Sequence, residues 1–496
     1  MQVPLSRVRA LNDAPLLAGA YVLYWQTAAR RTAHNFGLQH AIHHANLLGK
    51  PLLVLEALQV NYPFASERLH KLMLDGMAEN RVIFAQHGVQ HFAYVEPRPA
   101  AARGLLLALA QHAAVVVTDD APQGFLPRMV QAAAQKLPVR LEAVDSVGLL
   151  PRSVAGRSFA TAHAFRTFLQ RALPPELEQF PQAQPLAALQ VRVPVALDAA
   201  ILARWPQATA EVLAGRTLGQ LPIDHTVLPP ATRGGARAAD ALLAAVVATR
   251  LTRYPEDRNH PDRDGASGLS PYLHTGHLSP HAVFLALAAA EDWHPGRLGV
   301  PNRGARTGWW GLSAAAEAFV DQLVTWRELG HLEAAFTPRY DEFATLPAWA
   351  QRTLQAHAHD PRPVLYTPEQ LETAQTHDPL WNAAQRQLVQ DGRMHNYLRM
   401  LWGKQILAWS PSPEDALAVM LRLNDRYALD GRDPNSVAGI QWVLGRYDRP
   451  WGPERPIFGT VRYMTSANTA RKLETRQFVA RYPTQSQLPL RAALPA

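Results

Sequence analysis

Cysteine is absent from all 496 residues of the chain. Disulfides, thiolate metal sites, iron–sulfur clusters and cysteine nucleophiles are therefore excluded. Long apolar segments are missing as well, because the most hydrophobic runs, GLLLALAQHAAVVV and ALLAAVVAT, are too short or too interrupted to cross a bilayer. The first residues also lack the apolar core of a signal peptide. We therefore expect a cytoplasmic protein that has no membrane partner.

Several motifs of common enzyme classes are missing too. No G-x-G-x-x-G follows the first predicted strand, and the chain has no P-loop and no G-x-S-x-G elbow. Dinucleotide binding of the usual kind, nucleotide hydrolysis and serine hydrolysis therefore have little support. His40 and His44 are spaced one helical turn apart, but HAIHH lacks the acid of H-E-x-x-H and offers no obvious third ligand. We predict no metal site.

The charge of the chain is strongly positive. Lysine and arginine exceed aspartate and glutamate by eight, and the sequence pI is about 9.8. Such a balance favours a partner that carries phosphates, although many basic proteins bind no nucleic acid.

The first 150 residues alternate β-rich runs with helical patterns. Strands are predicted at 21–25, 51–58, 90–96, 114–120 and 139–145, with helices around 30–48, 66–87, 100–112 and 125–136. This alternation predicts an α/β domain with a doubly wound parallel sheet at 1–150. A proline-rich stretch at 151–235 is typical of an interdomain linker.

Beyond residue 235 the pattern is almost wholly helical, and it predicts an all-α domain at 236–485. Eleven of the twelve tryptophans lie between Trp205 and Trp451. Such a domain can bury a large planar aromatic ligand, or it can simply have a bulky core.

Three stretches of this half are chemically suggestive, and each also has a purely structural interpretation. Gly268 lies in a flexible loop, and Ser270 before Pro271 is the predicted N-cap of the next helix, which suits a phosphate cradle or an ordinary cap. The turn around Asp430 is charged and is equally consistent with a solvated surface. In DGRMHNYLRMLWGKQILAW, Arg399, Trp402 and Trp409 share one helical face, which is also typical of a core helix.

Taken together, several long ordered motifs resemble the class II cyclobutane pyrimidine dimer photolyases. The motifs that carry this resemblance are YVLYWQTAARRTAHNFGLQHA, RNHPDRDGASGLSPYLHTGHLS, WRELG, HDPLWNAAQ, GRMHNYLRMLW, LNDRYALDGRDPNSVAGIQW and ERPIFGTVRYM. The resemblance is dense from about residue 254 to 472.

The resemblance implies a photolyase/cryptochrome fold, with an α/β antenna domain, a linker and a helical FAD-binding catalytic domain. It implies light-driven repair of cyclobutane pyrimidine dimers by electron transfer from reduced FAD to a flipped-out lesion. The implied partner is dimer-containing DNA, bound by a monomer without a metal, in the cytoplasm and on the nucleoid if the source is prokaryotic. An antenna chromophore is possible, and no residue identifies it.

The same resemblance assigns the cofactor-binding residues. Tyr254, Ser267, Gly268, Leu269 and Ser270 match the segment that holds the FAD phosphates, and Arg258 is an additional candidate. Arg399 and Asp430 match an ion pair against the flavin ring. Asn424 matches the residue beside flavin N5, and Gly431 belongs to the same turn.

On the lesion side, the resemblance assigns Glu328 as the acid that hydrogen-bonds the damaged bases. Met400 and Trp442 match apolar groups that line the lesion pocket. Electron relay is assigned to Trp402, then Trp381, then Trp409. Three alternatives stay open at this stage: a cryptochrome-like photoreceptor with the same flavin site, a (6-4) photoproduct enzyme, and a basic nucleic-acid-binding protein without flavin.

Overall fold

A computed structural model describes residues 2–484 of the chain. It divides into two compact units. Unit 1 comprises residues 2–251, 267–340 and 432–435, and unit 2 comprises residues 252–266, 341–431 and 436–484. These units do not follow the predicted segments 1–150, 151–235 and 236–485, so that functional division stays a prediction. Residue 485, the predicted end of the helical domain, lies outside the described residues.

Unit 1 is organised by a sheet whose spatial order is β1-β6-β5-β2-β3-β4. The strands are β1 (Val8–Ala10), β2 (Tyr21–Trp25), β3 (Leu52–Leu58), β4 (Gln90–Val95), β5 (Ala113–Asp119) and β6 (Leu141–Val144). All pairings are parallel except that of β1 with β6. The predicted doubly wound α/β fold class is confirmed, with one antiparallel edge strand that the sequence pattern did not reveal.

The sheet is buried on both faces because its central strands are continuous apolar runs. β2 and β5 are buried along their whole lengths. Alternate residues of β2 pack into two hydrophobic cores on opposite faces of the sheet. Leu23 and Trp25 belong to one core, and Val22 and Tyr24 belong to the other. The second core also takes the buried face of the first helix, α1 (Phe36–Leu48).

Residues 2–484 contain twenty-one further α-helices. In chain order they are α2 (Glu67–Gln86), α3 (Leu105–Ala110), α4 (Leu126–Ala134), α5 (Arg152–Ala155), α6 (Ala162–Ala172), α7 (Ala199–Arg204), α8 (Ala210–Leu213), α9 (Ala236–Ala245), α10 (Tyr254–Asp257), α11 (Ser270–Thr275), α12 (Pro280–Ala290), α13 (Ala314–Val320), α14 (Arg327–Phe336), α15 (Ala348–Ala356), α16 (Pro368–Glu372), α17 (Pro379–Asp391), α18 (Asn396–Trp409), α19 (Pro413–Tyr427), α20 (Pro434–Val443), α21 (Ser466–Lys472) and α22 (Arg476–Arg481). Short π-helical turns, Val246–Arg250 and Asp321–Trp326, interrupt two of these runs. The predicted helical character beyond residue 235 is confirmed.

The helices that carry the predicted site in unit 2 have strong local stop and start signals. Asp378 caps α17 by accepting the backbone amides of Leu380 and Trp381, and Gly392 ends the helix at φ 68°. Ser412 caps α19 in the same way. Between them, α18 packs against both neighbours, which fixes the face on which Arg399 lies. Among the described residues, no helix combines the length and apolarity required to span a bilayer.

Candidate functional site

The structure brings together three of the predicted flavin-side residues within unit 2. Arg399 on α18 forms an ion pair with Asp430, with 3.3 Å between Nη2 and Oδ1, and both side chains are 16% exposed. Its Nη1 donates to Asn424 Oδ1 over 3.4 Å. The Arg399 guanidinium is therefore held at the end of α19 by the Asp430 carboxylate and the Asn424 amide. The sequence also allowed this charged turn to be a solvated surface, and the structure does not show that arrangement.

One member of this cluster was not predicted from the sequence. Ser436 Oγ accepts from Arg399 Nη1 over 3.0 Å and donates to Asn424 Oδ1 over 3.0 Å. The Asn424 amide is thus fixed from two sides, because its Nδ2 also donates to Asp425 Oδ1 over 2.9 Å. A serine in a helical pattern carries no signal of this role, so only the tertiary structure could identify it.

Gly431 closes the turn that presents Asp430. A Cβ atom at this position would lie 2.7 Å from the main-chain oxygen of Asn424 and 2.9 Å from Cα of Asp425. Both neighbours are backbone atoms, so any larger residue would push the turn away from the end of α19. The close approach therefore positions Asp430 relative to Asn424.

The three predicted relay tryptophans are all buried in unit 2. Trp402 and Trp381 are 1% and 0% exposed, and Trp409 is 4% exposed. Trp381 Nε1 donates to the main-chain oxygen of Trp402 over 3.0 Å. The rings of Trp381 and Trp409 lie 5.4 Å apart, centroid to centroid, at 70°. Trp381 thus contacts both partners between which the predicted order places it.

Beyond Trp409, two further rings contact the same indole. Tyr366 and His377 lie 5.3 Å and 5.4 Å from its centroid, both edge-on. Both residues are partly exposed, whereas Trp402 is bonded internally to Gln385 Oε1 over 2.9 Å. The chain of rings therefore runs from the interior towards solvent.

Tyr254 and Arg258 lie on and just after α10 in unit 2. The guanidinium carbon of Arg258 is 5.6 Å from the Tyr254 ring centroid, and Tyr254 is buried. The loop that follows is held by Arg393, which donates to both carboxylate oxygens of Asp264 over 2.8 Å. A bidentate pair of this kind fixes orientation as well as distance.

Ser267, Gly268, Leu269 and Ser270 belong to unit 1. Gly268 has φ 73°, a conformation that favours glycine, and Leu269 is buried. Leu269, not Ser270 as expected, occupies the N-cap position of α11, with no side-chain cap. Ser267 is half-buried and its Oγ accepts the Leu269 amide over 3.4 Å, whereas Ser270 is exposed.

On the predicted lesion side, Met400 and Trp442 are half-buried residues of unit 2. Arg462 lies over the Trp442 ring with its guanidinium carbon 5.3 Å from the centroid, and 4.1 Å from that of Trp451. Arg462 also pairs with Asp448 over 3.3 Å. The result is a cation held between two indoles, a suitable surface for stacking bases and for binding phosphates.

Lys404 lies behind this surface and was not singled out from the sequence. It is one turn after Met400 on α18 and completely buried, and its Nζ donates to the main-chain oxygen of Val443. The same nitrogen is 5.4 Å from the Trp442 ring centroid. Burial lowers the pKa of Lys404 to about 7, with Asp448 opposing that shift.

Glu328 lies on α14 in unit 1, and its carboxylate is already engaged. Oε1 accepts the Leu149 amide over 2.7 Å, and Oε2 accepts the Leu150 amide over 3.2 Å. The residue is 3% exposed, and burial raises its pKa to about 7 despite these hydrogen bonds. A Cβ at Gly148 would lie 2.8 Å from the carboxyl carbon, so this loop is packed directly against the acid.

A cavity of about 220 Å³ lies in unit 1, where β2 and β3 end. Its lining is mainly apolar and includes Trp25, Leu55, Leu58, Phe125 and Met129. Arg432 adds positive charge to the wall, whereas Arg30 is paired with Glu56 over 3.2 Å. Ligands of open α/β sheets bind at the carboxyl ends of the strands, so the position suits a planar, partly anionic molecule.

Comparisons with known proteins agree on one kind of relative. A deoxyribodipyrimidine photo-lyase from Methanothermobacter thermautotrophicus is 34% identical over 477 residues, which cover 96% of this chain and 97% of that protein. A bacterial class III photolyase structure from Agrobacterium tumefaciens matches with a TM-score of 0.67 at 18% identity, covering 95% and 88% of the two chains. An archaeal photolyase structure from Sulfolobus tokodaii, solved with two FAD molecules, matches with a TM-score of 0.62 at 14% identity, covering 94% and 91%. No family model matches the chain.

Proposed function

Because this chain belongs to the deoxyribodipyrimidine photo-lyase family, we propose that it repairs cyclobutane pyrimidine dimers in DNA by a light-driven electron transfer from reduced FAD. The observation that carries this proposal is the placement of Arg399 and Trp402 on one helix, three residues apart. The first belongs to a polar cluster suited to a flavin ring, and the second begins a chain of buried indoles.

The residues of the polar cluster fit a flavin. A redox-active ring requires hydrogen-bonding groups at its edge and a cation that balances the charge gained on reduction. Arg399, Asn424 and Asp430 supply these groups, and each retains unused hydrogen-bonding capacity. We assign them to the ring, and we assign Tyr254, Arg258 and the 267–270 segment to the phosphates.

When bound, FAD supplies the excited-state electron that opens the dimer. The protein's part is to set the electrostatics and to exclude water. Arg399 and Ser436 already donate to Asn424 Oδ1 and fix the direction of the amide, so its Nδ2 has one hydrogen left to donate to the ring nitrogen. The carboxylate of Asp430 partly cancels the positive charge of Arg399. An unpaired guanidinium would stabilise the negatively charged reduced flavin so strongly that electron release would become unfavourable.

Trp442 and Met400 receive the flipped lesion in this proposal. Removing a damaged pair from the stack costs less than removing an intact pair, and stacking on an indole returns roughly 1–3 kcal/mol per base. Arg462 holds the Trp442 ring from outside, and the net positive charge attracts phosphates without reading the sequence. We keep Glu328 as a candidate for direct lesion contact. Its two amide bonds also support a second proposal, that it positions the 148–150 loop.

The cavity of unit 1 is our candidate for an antenna chromophore. Its apolar walls would shield an aromatic ring, and Arg432 would pair with an anionic substituent. We further propose class II membership on the motifs quoted above, and a cytoplasmic protein that acts as a monomer. No observation favours a photoreceptor or a (6-4) enzyme.

Purified protein tests the proposal directly. The expected result is bound flavin in its absorption spectrum, and loss of dimers from DNA under blue light once the flavin is fully reduced. Protein without flavin would overturn the cofactor assignment. Flavin binding without repair would instead favour the photoreceptor alternative, because signalling requires the same cofactor and no dimer chemistry.

A further inference from the structure

Two histidines and a glutamate converge in unit 1, on the sheet face covered by α1. His40 and His44 project from consecutive turns of α1, and Glu142 projects from β6. The Nε2 atoms of His40 and His44 contact the same carboxylate oxygen of Glu142, Oε2, at 2.7 Å and 2.8 Å, respectively. One ligand atom from each residue lies within 4.8 Å of the others.

We propose that His40, His44 and Glu142 bind one divalent transition-metal ion of the Zn²⁺ class. Two imidazole nitrogens and one carboxylate oxygen are ligands that this class of ion prefers, and three protein ligands leave one position for water. Hard cations such as Mg²⁺ prefer oxygen ligands, so the two nitrogens disfavour them. The missing third ligand was the reason for predicting no metal from HAIHH, and Glu142 supplies it.

The arrangement needs either two N–H donors or one cation between its lone pairs. A neutral imidazole can point either an N–H or a lone pair at the carboxylate, and only an N–H is attractive. Either both rings donate an Nε2–H to the same carboxylate oxygen, or a metal ion replaces the two protons and is bound by both nitrogens and that oxygen. A single ion would bind all three atoms at once.

Burial and charge around the cluster favour a cation. His40, His44 and Glu142 are only 8–9% exposed, so water competes weakly while a path for entry remains. A carboxylate placed between two imidazole nitrogens supplies the negative charge that attracts a cation.

Two features moderate the expected affinity. Arg140 Nε donates to the other carboxylate oxygen over 2.7 Å, which leaves Oε2 as the ligand atom. Within the described part of the chain, neither His40 Nδ1 nor His44 Nδ1 has a hydrogen-bond partner. Outer-shell acceptors on such nitrogens typically strengthen binding by 10–100-fold, so we expect micromolar rather than nanomolar affinity.

The ion would join elements that are far apart in the sequence. Glu142 lies 98 residues beyond His44, and the pair connects the first helix to the sixth strand. A metal that binds only the folded arrangement stabilises it by mass action. The site lies on the face opposite the core that contains Trp25 and Leu55, which line the cavity, so its role is structural and independent of the proposed flavin chemistry.

Calorimetric titration of Zn²⁺ into tag-free, chelator-treated holoprotein tests the site, with Mg²⁺ titrated in parallel. One Zn²⁺ per chain is expected, with no comparable Mg²⁺ binding. Excess Zn²⁺ should also raise the thermal midpoint by several degrees. His40→Ala and Glu142→Gln are each expected to weaken Zn²⁺ binding more than about 10-fold. His112→Ala is the matched control, because His112 is an exposed histidine of the same unit.

Glu142→Gln keeps the shape of the side chain, so loss of Zn²⁺ binding in this variant can be separated from loss of binding through misfolding. Circular dichroism in chelator should give the same spectrum for this variant as for the parent. X-ray absorption at the zinc edge should report two imidazoles in the first shell of the parent complex. Absence of a one-to-one site, or affinity unchanged in both ligand variants, would overturn the proposal in favour of a proton-linked His–Glu–His cluster.

Discussion

The indole nitrogen of Trp381 donates a 3.0 Å hydrogen bond to the main-chain oxygen of Trp402, on the neighbouring helix of unit 2. The same ring packs edge-on against Trp409. One side chain therefore contacts both of the tryptophans between which it was predicted to pass electrons. Its complete burial also protects the ring from competing reactions with solvent.

Replacing the inner relays should separate photoreduction from repair. Trp402→Phe and Trp381→Phe are each expected to slow photoreduction of oxidised flavin at least 10-fold, while pre-reduced protein repairs dimers nearly as fast as the parent. Absorbance during blue illumination measures the first quantity, and dimer loss measures the second. Trp349→Phe is the control, since it removes a half-buried indole from the same unit. Equal loss of both activities in the relay variants would refute the electron path.

Ser436→Ala should disturb the polar cluster without removing a charge. The variant deletes the hydroxyl that fixes Asn424, and loss of one such hydrogen bond typically costs about 0.5–1.5 kcal/mol of unfolding free energy. We expect altered accumulation of the fully reduced flavin, because the freed amide can rotate. Ser436→Thr, which keeps the hydroxyl, should retain the parent behaviour. Identical reduction kinetics in the alanine variant would contradict the positioning role.

Lys404 should make stability depend on pH above neutrality. Its pKa is lowered by burial from 10.5 to about 7, so between these values the unfolded chain binds more protons than the folded one. Unfolding free energy should therefore rise with pH from about 7 to 10.5, with the full penalty present below 7.

Lys404→Met is the corresponding variant. We expect it to raise the unfolding free energy at pH 6 by about 1 kcal/mol or more, and to flatten the rise between pH 7 and 10. If the ammonium also supports Trp442, dimer repair should fall while stability increases. Denaturant unfolding across this pH range measures the first effect. An unchanged pH profile would show that Lys404 titrates normally.

Glu328 should have the opposite pH dependence. Its pKa is raised to about 7, so the folded chain binds more protons than the unfolded one between about 4.5 and 7. Its contribution to stability should fall as pH rises through that window, and Glu328→Gln should abolish the fall. The variant also replaces one acceptor oxygen by a donor facing a backbone amide, which costs about 1–3 kcal/mol at pH 8.

A matched variant separates the two proposals for Glu328. Glu317 in the same unit also accepts two backbone amides, those of Gly308 and Trp310. Glu317→Gln should therefore lose comparable stability while leaving the repair yield intact. A drop in repair yield at saturating DNA for Glu328→Gln alone would support a lesion-side role. Parallel behaviour of the two variants would assign Glu328 to loop positioning only.

Much of the sheet was predictable because a buried parallel strand is a continuous apolar run. The predicted 51–58 strand is observed as Leu52–Leu58, and 21–25 is reproduced as Tyr21–Trp25. β1 was missed, since three residues carry no periodicity and its pairing depends on a strand that comes much later in the chain. The predicted 151–235 linker contains packed short helices, which proline-rich composition conceals.

The side-chain contacts of the candidate site were predictable only where long motifs pointed to them, and the roles of these residues stay a prediction. Arg399, Asn424 and Asp430 lie together as the resemblance implied, whereas Ser436 and Lys404 resemble ordinary helix residues until their contacts are known. The contact of Glu142 with the two histidines could not be predicted from the sequence at all. No local pattern links a strand glutamate to two histidines 98 and 102 residues earlier, because only the sheet topology places them on one face.

This chain is expected to convert light into dimer repair. The most direct measurement is anaerobic single-turnover repair of an oligonucleotide that contains one thymine dimer, using protein with fully reduced flavin and a matched sample kept dark. We expect intact thymines after blue illumination, no change in the dark, and no repair by protein stripped of flavin. Persistence of the dimer under light, with reduced flavin and DNA both bound, would rule out dimer repair as the function of this chain.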